Sequence, residues 1–189
     1  NSLAAIALAH ELGLDDAAVC RALAEFQGID RRLQVIDTID TGHAQALLVD
    51  DYGHHPTEIA ATMRAAREAW PGRRLVVVFQ PHRFTRTRDL LDDFAVVLSG
   101  ADKLLVAEVY SAGEDPIAGA DARAICRAVR SRGAVEPVLV PKLERLPKLL
   151  DGVLQDGDLV LTLGAGDIGA AAQRLPASFT RRPGLRRTS

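Results

Sequence analysis

Leu75-Val-Val-Val-Phe79 is an unbroken apolar run, bounded by Pro71-Gly72 upstream and by Gln80-Pro81 downstream. A run that short with no polar alternation has no face to offer water. It reads as a strand buried on both sides of a sheet. Such a strand requires a covering layer on each face, and the flanking sequence supplies helical stripes. Ile59, Met63, Ala66 and Trp70 follow Pro56 at helical spacing, with Pro56 suited to a first helical position. Leu90, Leu91, Phe94, Val97 and Leu98 form a second stripe. Further strands are predicted over 33–36, 46–49, 104–107, 138–140 and 159–163. Further helices are predicted over 121–130, with Gly133 just past its end, and over 143–150 and 166–174. This alternation predicts an α/β fold: a Rossmann-like, mostly parallel sheet with helices on both faces. The Thr41-Gly42 turn predicts that the first two strands form a hairpin or a close pair.

Ahead of the sheet, residues 2–12 and 16–26 read as a pair of helices, the second capped by Asp15 or Asp16. The polar stretch Gly28-Ile-Asp-Arg-Arg32 separates this pair from the alternating strands and helices. The expected organisation is a helical remnant of an upstream domain over 1–30, a Rossmann-like domain over 31–175, and a basic, solvated tail over 176–189. The chain opens inside an apolar helical pattern, and its single methionine is Met63, so it is expected to be a piece of a longer protein. Hydrophobic residues make up 48% of the 189 and charged residues 25%, values of an ordinary globular protein. No apolar run reaches the ~18–20 residues of a membrane-spanning helix. A net charge of −2 argues against a strongly basic nucleic-acid binder. Cys20 and Cys126 sit in helical patterns rather than paired motifs, which points to a reducing cytoplasm.

In open parallel sheets ligands bind beyond the carboxyl ends of the strands. Predicted strands run into Asp50-Asp-Tyr-Gly-His-His-Pro-Thr-Glu58, Gln80-Pro-His-Arg-Phe-Thr-Arg86, Glu108-Val-Tyr-Ser-Ala-Gly-Glu114 and Gly164-Ala-Gly-Asp-Ile-Gly169. In a parallel sheet these loops would share one edge and make a polar crevice. Asp50, Asp51, His54 and His55 admit three readings. The first is a turn with a histidine capping the next helix. The second is a metal site that would, with His82, serve a hydrolase, although adjacent histidines lack the i, i+4 spacing of helical zinc motifs. The third is substrate and nucleotide binding, in which a strand-end carboxylate accepts from ribose hydroxyls. Arg83 and Arg86, beside His82, can converge on one anion through their planar forks above a helix N-terminus. The competing reading pairs them with Asp89, Asp92 or Asp93; a polar crevice favours the anion. Gly164, Gly166 and Gly169 fit the G-x-G-x-x-G spacing, but no second strand with an acidic residue ~20 positions on comes after them. They read as a tight turn with close helix–sheet packing. A G-x-x-x-x-G-K-[ST] loop is absent from these residues, so a nucleoside triphosphate would need a phosphate cradle upstream. A non-catalytic nucleotide- or anion-binding module remains open beside an enzyme.

Several segments together resemble the C-terminal part of a Mur ligase. They are Asn1-Ser-Leu-Ala-Ala, Gly28-Ile-Asp-Arg-Arg32, Val49-Asp-Asp-Tyr-Gly-His-His-Pro-Thr-Glu58, Phe79-Gln-Pro-His-Arg-Phe-Thr-Arg-Thr-Arg-Asp89, Tyr110-Ser-Ala-Gly-Glu114 and Leu163-Gly-Ala-Gly-Asp-Ile168. The resemblance implies a three-domain enzyme of peptidoglycan synthesis, of which this chain would hold the end of the central ATPase domain and the whole third domain. It implies ATP-dependent amide formation. ATP phosphorylates the carboxylate of UDP-N-acetylmuramate, the amine of L-alanine attacks the acyl phosphate, and Mg2+ assists from ligands mostly upstream. By the same resemblance Asn1 contacts adenine, Arg32 lies near the ATP phosphates and Asp51 holds the ribose. Tyr52, His54, Arg83 and Arg86, with His82 beside them, form the L-alanine pocket. Phe84 stands where many members carry tyrosine, keeping the ring and losing the hydroxyl. No metal ligand and no certain catalytic residue falls within this stretch, and it is expected to be inactive alone.

Overall fold

In the computed structural model, which describes residues 2–26 and 28–179, the chain divides into two compact units between Asp30 and Arg31. The first unit is a helix pair, α1 (Ser2–Glu11) and α2 (Asp16–Glu25), with Asp15 capping α2 by accepting from the Ala18 amide. Ala9 is its one buried hydrophobic residue, while Leu3, Leu8, Leu12 and Leu14 are exposed. A pair this small cannot bury a core of its own.

The second unit shows the expected alternation. Its elements are β1 (Gln34–Asp40), β2 (Gln45–Asp51), α3 (Pro56–Ala69), β3 (Leu75–Phe79), α4 (Phe84–Asp89), α5 (Leu91–Leu98) and β4 (Lys103–Ala107). They continue with α6 (Ala122–Arg132), β5 (Pro137–Val140), a 3-10 turn (Leu143–Arg145), α7 (Leu146–Asp151), β6 (Leu159–Leu163) and α8 (Ile168–Phe179). The six strands form one sheet in the order β1-β2-β6-β3-β4-β5. All neighbours are parallel except β1, which returns on β2 through the Thr41-Gly42 turn as an antiparallel edge with a bulge between Val35 and Asp37.

β3 lies in the middle, and every residue of it is fully buried. Its pleat sends Leu75, Val77 and Phe79 into one apolar layer with Ile59 of α3, Phe94 of α5 and Ile125 of α6. Val76 and Val78 point into the other layer, with Leu146 and Leu150 of α7 and Leu175 of α8. Each such side chain contributes roughly 1.5–3 kcal/mol by leaving water. The α/β class and the mostly parallel sheet are therefore as the sequence implies.

Several boundaries differ from the expectation; β2 runs through Asp51 rather than stopping at Val49, so Asp50 and Asp51 lie in the strand and not in the loop after it. β1 runs to Asp40 rather than stopping at Ile36, because an edge strand tolerates Asp37, Thr38 and Asp40 on its open side. The stripe from Leu90 to Leu98 is α5 with its N-cap Leu90, and a separate six-residue helix, α4, comes before it. α8 continues through Pro176 to Phe179, so 176–179 are helical rather than tail; Phe179 packs against the second apolar layer. The rest of the basic stretch, 180–189, lies outside the described residues.

The amino ends of the strands are tied by a charged clamp. Arg74, just before β3, donates from Nε (2.9 Å) and Nη2 (2.8 Å) to the two oxygens of Asp158, just before β6, and from Nη2 to the Val153 carbonyl (2.6 Å). Asp158 is 1% exposed, so its charge depends on that fork. Removing one partner of a buried pair strands the other. We expect Arg74→Ala to lower unfolding free energy by about 3 kcal/mol, read as a fall in the urea midpoint at unchanged slope. A loss under a quarter of that would show the clamp to be dispensable.

Candidate functional site

β2, β6, β3 and β4 run parallel, so the loops that come after them emerge along one edge. The end of β2 sets the first part of the site. Asp50 is fully buried; its carboxylate accepts from Thr162 Oγ1 on β6 (2.5 Å) and from Arg31 Nε (2.7 Å). Asp51 is 3% exposed. Its carboxylate accepts from the Gly53 amide (2.7 Å), Thr62 Oγ1 (3.2 Å) and the Leu33 amide (2.9 Å). A carboxylate has about four acceptor positions, so little of Asp51 remains for an outside donor. It shapes the turn from within rather than standing open on the rim.

Pro56 opens α3 and His55 caps it. His55 Nδ1 accepts from the Thr57 amide, while Glu58 reaches back to the His54 and His55 amides at 3.0 and 3.2 Å. This reciprocal capping box accounts for His55 as a structural residue. Burial works to raise the Glu58 carboxyl, but the two amides, with the charges of His54 and Arg32, outweigh it and hold it below its usual value. His54 is turned the other way. Its Nδ1 lies 3.1 Å from the Tyr52 carbonyl and 3.5 Å from Glu58. Both neighbours are acceptors, so Nδ1 is the nitrogen that carries a proton in either charge state, and Nε2 is the one able to accept when the ring is neutral.

The end of β3 supplies the basic part. Arg83 is exposed and caps α4 without a side-chain bond, at φ 75°. Its Nη1 lies 3.5 Å from Glu114. Glu114 in turn accepts from the Thr85 amide (3.0 Å) and Thr85 Oγ1 (2.7 Å). The Thr85 bonds, the Phe84 amide and Arg83 keep the Glu114 carboxyl below its usual value. α4 is only six residues long, and its first amides already face a carboxylate of the chain. The expected helix N-terminus for an outside anion is therefore taken by Glu114. Arg86 Nη1 folds onto the His82 carbonyl (3.2 Å) and faces His82 Nδ1 at 3.4 Å. Neither arginine pairs with Asp89, Asp92 or Asp93; Asp89 pairs with Arg88.

Rings link the two parts. Tyr52 meets His54 edge-on at 5.5 Å, His54 lies 5.8 Å from His82, and His82 stacks on Tyr110 at 5.5 Å. Tyr52, His54, His82 and Arg86 are thus brought into one row, with Arg83 beside it. Arg32 is exposed next to the row, its Cζ 5.9 Å from the Tyr52 ring centre. Asn1 lies outside the described residues. Tyr110 also borders a groove of about 580 Å³ beyond the row, lined in part by Gln80, Lys142 and Asp167. The three glycines after β6 serve close packing: a Cβ at Gly164 would lie 2.6 Å from the Gln80 carbonyl, and one at Gly166 2.7 Å from the Tyr110 ring. Among the described residues no His, Cys, Asp and Glu side chains converge as metal ligands. The hydrolase reading of Asp50, Asp51, His54, His55 and His82 therefore has no ligand set among the described residues. Among the same residues no helix is long and apolar enough to cross a membrane.

Residues 31–166 match the family described as "Mur ligase, glutamate ligase domain". The chain belongs to the Mur ligase family. It is 33% identical to UDP-N-acetylmuramate-alanine ligase MurC from Thermotoga maritima, with a TM-score of 0.76 over 94% of this chain and 36% of that one. Murein peptide ligase Mpl from Psychrobacter arcticus shares the fold at 23% identity and TM-score 0.69, over 97% of this chain and 37% of that one. The bifunctional folylpolyglutamate synthase/dihydrofolate synthase of Yersinia pestis, solved with AMPPNP and a Mn ion, shares it at 15% and 0.58, over 87% of this chain and 35% of that one. This chain spans a little over a third of the Mur ligases it matches. Mur ligases are ATP-dependent ligases, so the row of side chains belongs to an ATP-using family.

Sequence reasoning passed over Arg31, Tyr110 and the inward use of Glu114 and Glu58. Only the capping box left a readable signal, in the spacing His55-Pro-Thr-Glu58.

His82 gives the site a pH dependence. Its half-burial, then the charges of Arg86, His54 and Arg83, push the imidazole below its usual 6.5, with Glu114 pulling weakly the other way. Between the folded value and 6.5 the unfolded chain binds the extra proton. The contribution is therefore complete above that window and is lost as pH falls through it. We expect the urea midpoint of the wild type to fall more steeply than that of His82→Gln between about pH 7 and pH 5; parallel curves would contradict the assignment.

Proposed function

We propose that this chain is the C-terminal, amino-acid-binding part of a UDP-N-acetylmuramate–L-alanine ligase acting in cytoplasmic peptidoglycan synthesis. The observation that carries the reading is the 33% identity to the Thermotoga maritima MurC over 94% of the chain. The row of Tyr52, His54, His82, Arg83 and Arg86 supports it with chemistry suited to an amino acid.

ATP supplies the phosphoryl group that turns the muramyl carboxylate into an acyl phosphate. The residues of this chain bind and aim the amine that attacks it. Arg83 is 48% exposed and held by one contact to Glu114, so it can exchange that carboxylate for the substrate's at little cost. Arg86, fixed against His82, offers its remaining donors to the same group. His54, with its Nδ1 anchored, presents Nε2 as an acceptor for a proton of the incoming ammonium. Tyr52 and Tyr110 bound the row at its two ends. Arg32, exposed beside Tyr52, is placed for phosphate; Asp51 is assigned to the ribose and Asn1 to adenine by resemblance alone. Mg2+ would be held by upstream residues. The domain thus contributes by positioning, which can remove several kcal/mol from a bimolecular step.

The test is ADP release by the full-length ligase with UDP-N-acetylmuramate and either L-alanine or a murein tripeptide. L-alanine dependence is expected; dependence on the tripeptide instead would favour a murein peptide ligase. Arg83→Ala should raise KM for L-alanine about tenfold or more, the loss expected for a charge-assisted bond, before KM for ATP moves. Arg83→Lys should rescue only in part, since the fork is gone. Equal effects on both substrates would sink the pocket assignment. The 189-residue chain alone should not turn over ATP.

A further inference from the structure

Arg31, the first residue of the second unit, binds the ends of two strands and the beginning of a helix. Its Nε donates to the buried Asp50 carboxylate at the end of β2 (2.7 Å), and its Nη2 to the Gly164 carbonyl after β6 (2.5 Å). Its guanidinium carbon sits 5.0 Å over the centre of the Tyr52 ring, and its own carbonyl accepts from the Tyr52 amide (2.7 Å). The residue thus grips Tyr52 twice, by backbone and by side chain. Its backbone is left-handed, φ 59°, a conformation uncommon outside glycine.

We propose that Arg31 is a positioning residue that fixes the Tyr52 ring along the row of site side chains; its consequence for the reaction rests on the ligase reading above. A residue needed only to neutralise Asp50 could be a lysine. The guanidinium does what an ammonium cannot: its forked donors bond a carboxylate and a carbonyl at once while its carbon stays within cation–π range of an aromatic ring. Space for it is provided by Gly169 in the first turn of α8, where a Cβ would overlap the guanidinium. No left-handed φ is imposed on Gly169, so glycine is needed there for the room and not for the backbone.

Gly169→Ala is therefore a probe that displaces the guanidinium without removing it, in a helix where alanine is the better former. This stretch carries two tyrosines, Tyr52 and Tyr110; in the fluorotyrosine-labelled full-length protein the Tyr52 resonance is the one lost in Tyr52→Phe. In the full-length protein, Gly169→Ala and Arg31→Lys should each move the Tyr52 resonance. Gly169→Ala should also lower the melting temperature, because a displaced guanidinium loosens the pair with buried Asp50. Each should raise KM for L-alanine about fivefold, the scale of a lost cation–π contact, with KM for ATP unchanged. On a Tyr52→Leu background Gly169→Ala should add nothing further. An unmoved Tyr52 resonance, or a KM increase that simply multiplies on the Tyr52→Leu background, would overturn the proposal. Absence of L-alanine-dependent ADP release in the wild type would defeat the ligase reading, while the fluorine signal would still decide whether Arg31 holds Tyr52.

Discussion

A carboxylate with no exposure has to find partners inside the protein, and Asp50 is such a carboxylate. It sits at the end of β2, next to β6, where a polar side chain is least tolerated. Thr162 supplies one bond from the neighbouring strand, and Arg31 supplies the countercharge from a segment outside the sheet. Meeting that demand has a cascade of local effects. The chain at Arg31 turns left-handed, Gly164 offers its carbonyl and the first turn of α8 carries Gly169. Tyr52 is then held against the guanidinium. This end of the sheet is thus built around the neutralisation of a single buried charge.

Much of the rim's polarity is spent internally, which explains how it keeps its form. Asp51 holds the turn through Gly53, Thr62 and Leu33; Glu58 closes the start of α3; Glu114 occupies the start of α4. These carboxylates consume backbone donors that would otherwise point outward. The groups left for chemistry are consequently few and mostly donors: two arginines, one acceptor nitrogen on His54 and two aromatic rings. A set dominated by guanidinium donors suits a small zwitterion whose carboxylate must be gripped while its amine is left free to react.

What could be read from the amino-acid sequence was whatever repeats at short range. β3 announces itself because both faces are apolar, and α3 because Pro56 and its stripe share one spacing. The edge strand β1 hides its length, since Asp37, Thr38 and Asp40 look like a loop until a partner is placed beside them. The short helix α4 hides because its residues, Phe-Thr-Arg-Thr-Arg-Asp, carry no apolar stripe to announce it. Pro176 reads as a stop, yet α8 passes it because Leu175 and Phe179 still have apolar surface to cover. In the site, the strand-end rule located the loops, but contacts across distance stayed silent. Nothing near Arg31 signals that it bonds a carboxylate 19 residues on, and nothing near Thr85 signals Glu114, 29 residues away.

The margins of the sheet have a consequence for life in a crowded cell. An open sheet exposes unpaired backbone groups along its outermost strands, which can template the addition of a foreign chain. One margin here is β1, kinked by its bulge and studded with aspartates; the other is β5, four residues long and beginning with Pro137, which has no amide proton to give. Both borders thus discourage a stranger from docking strand to strand.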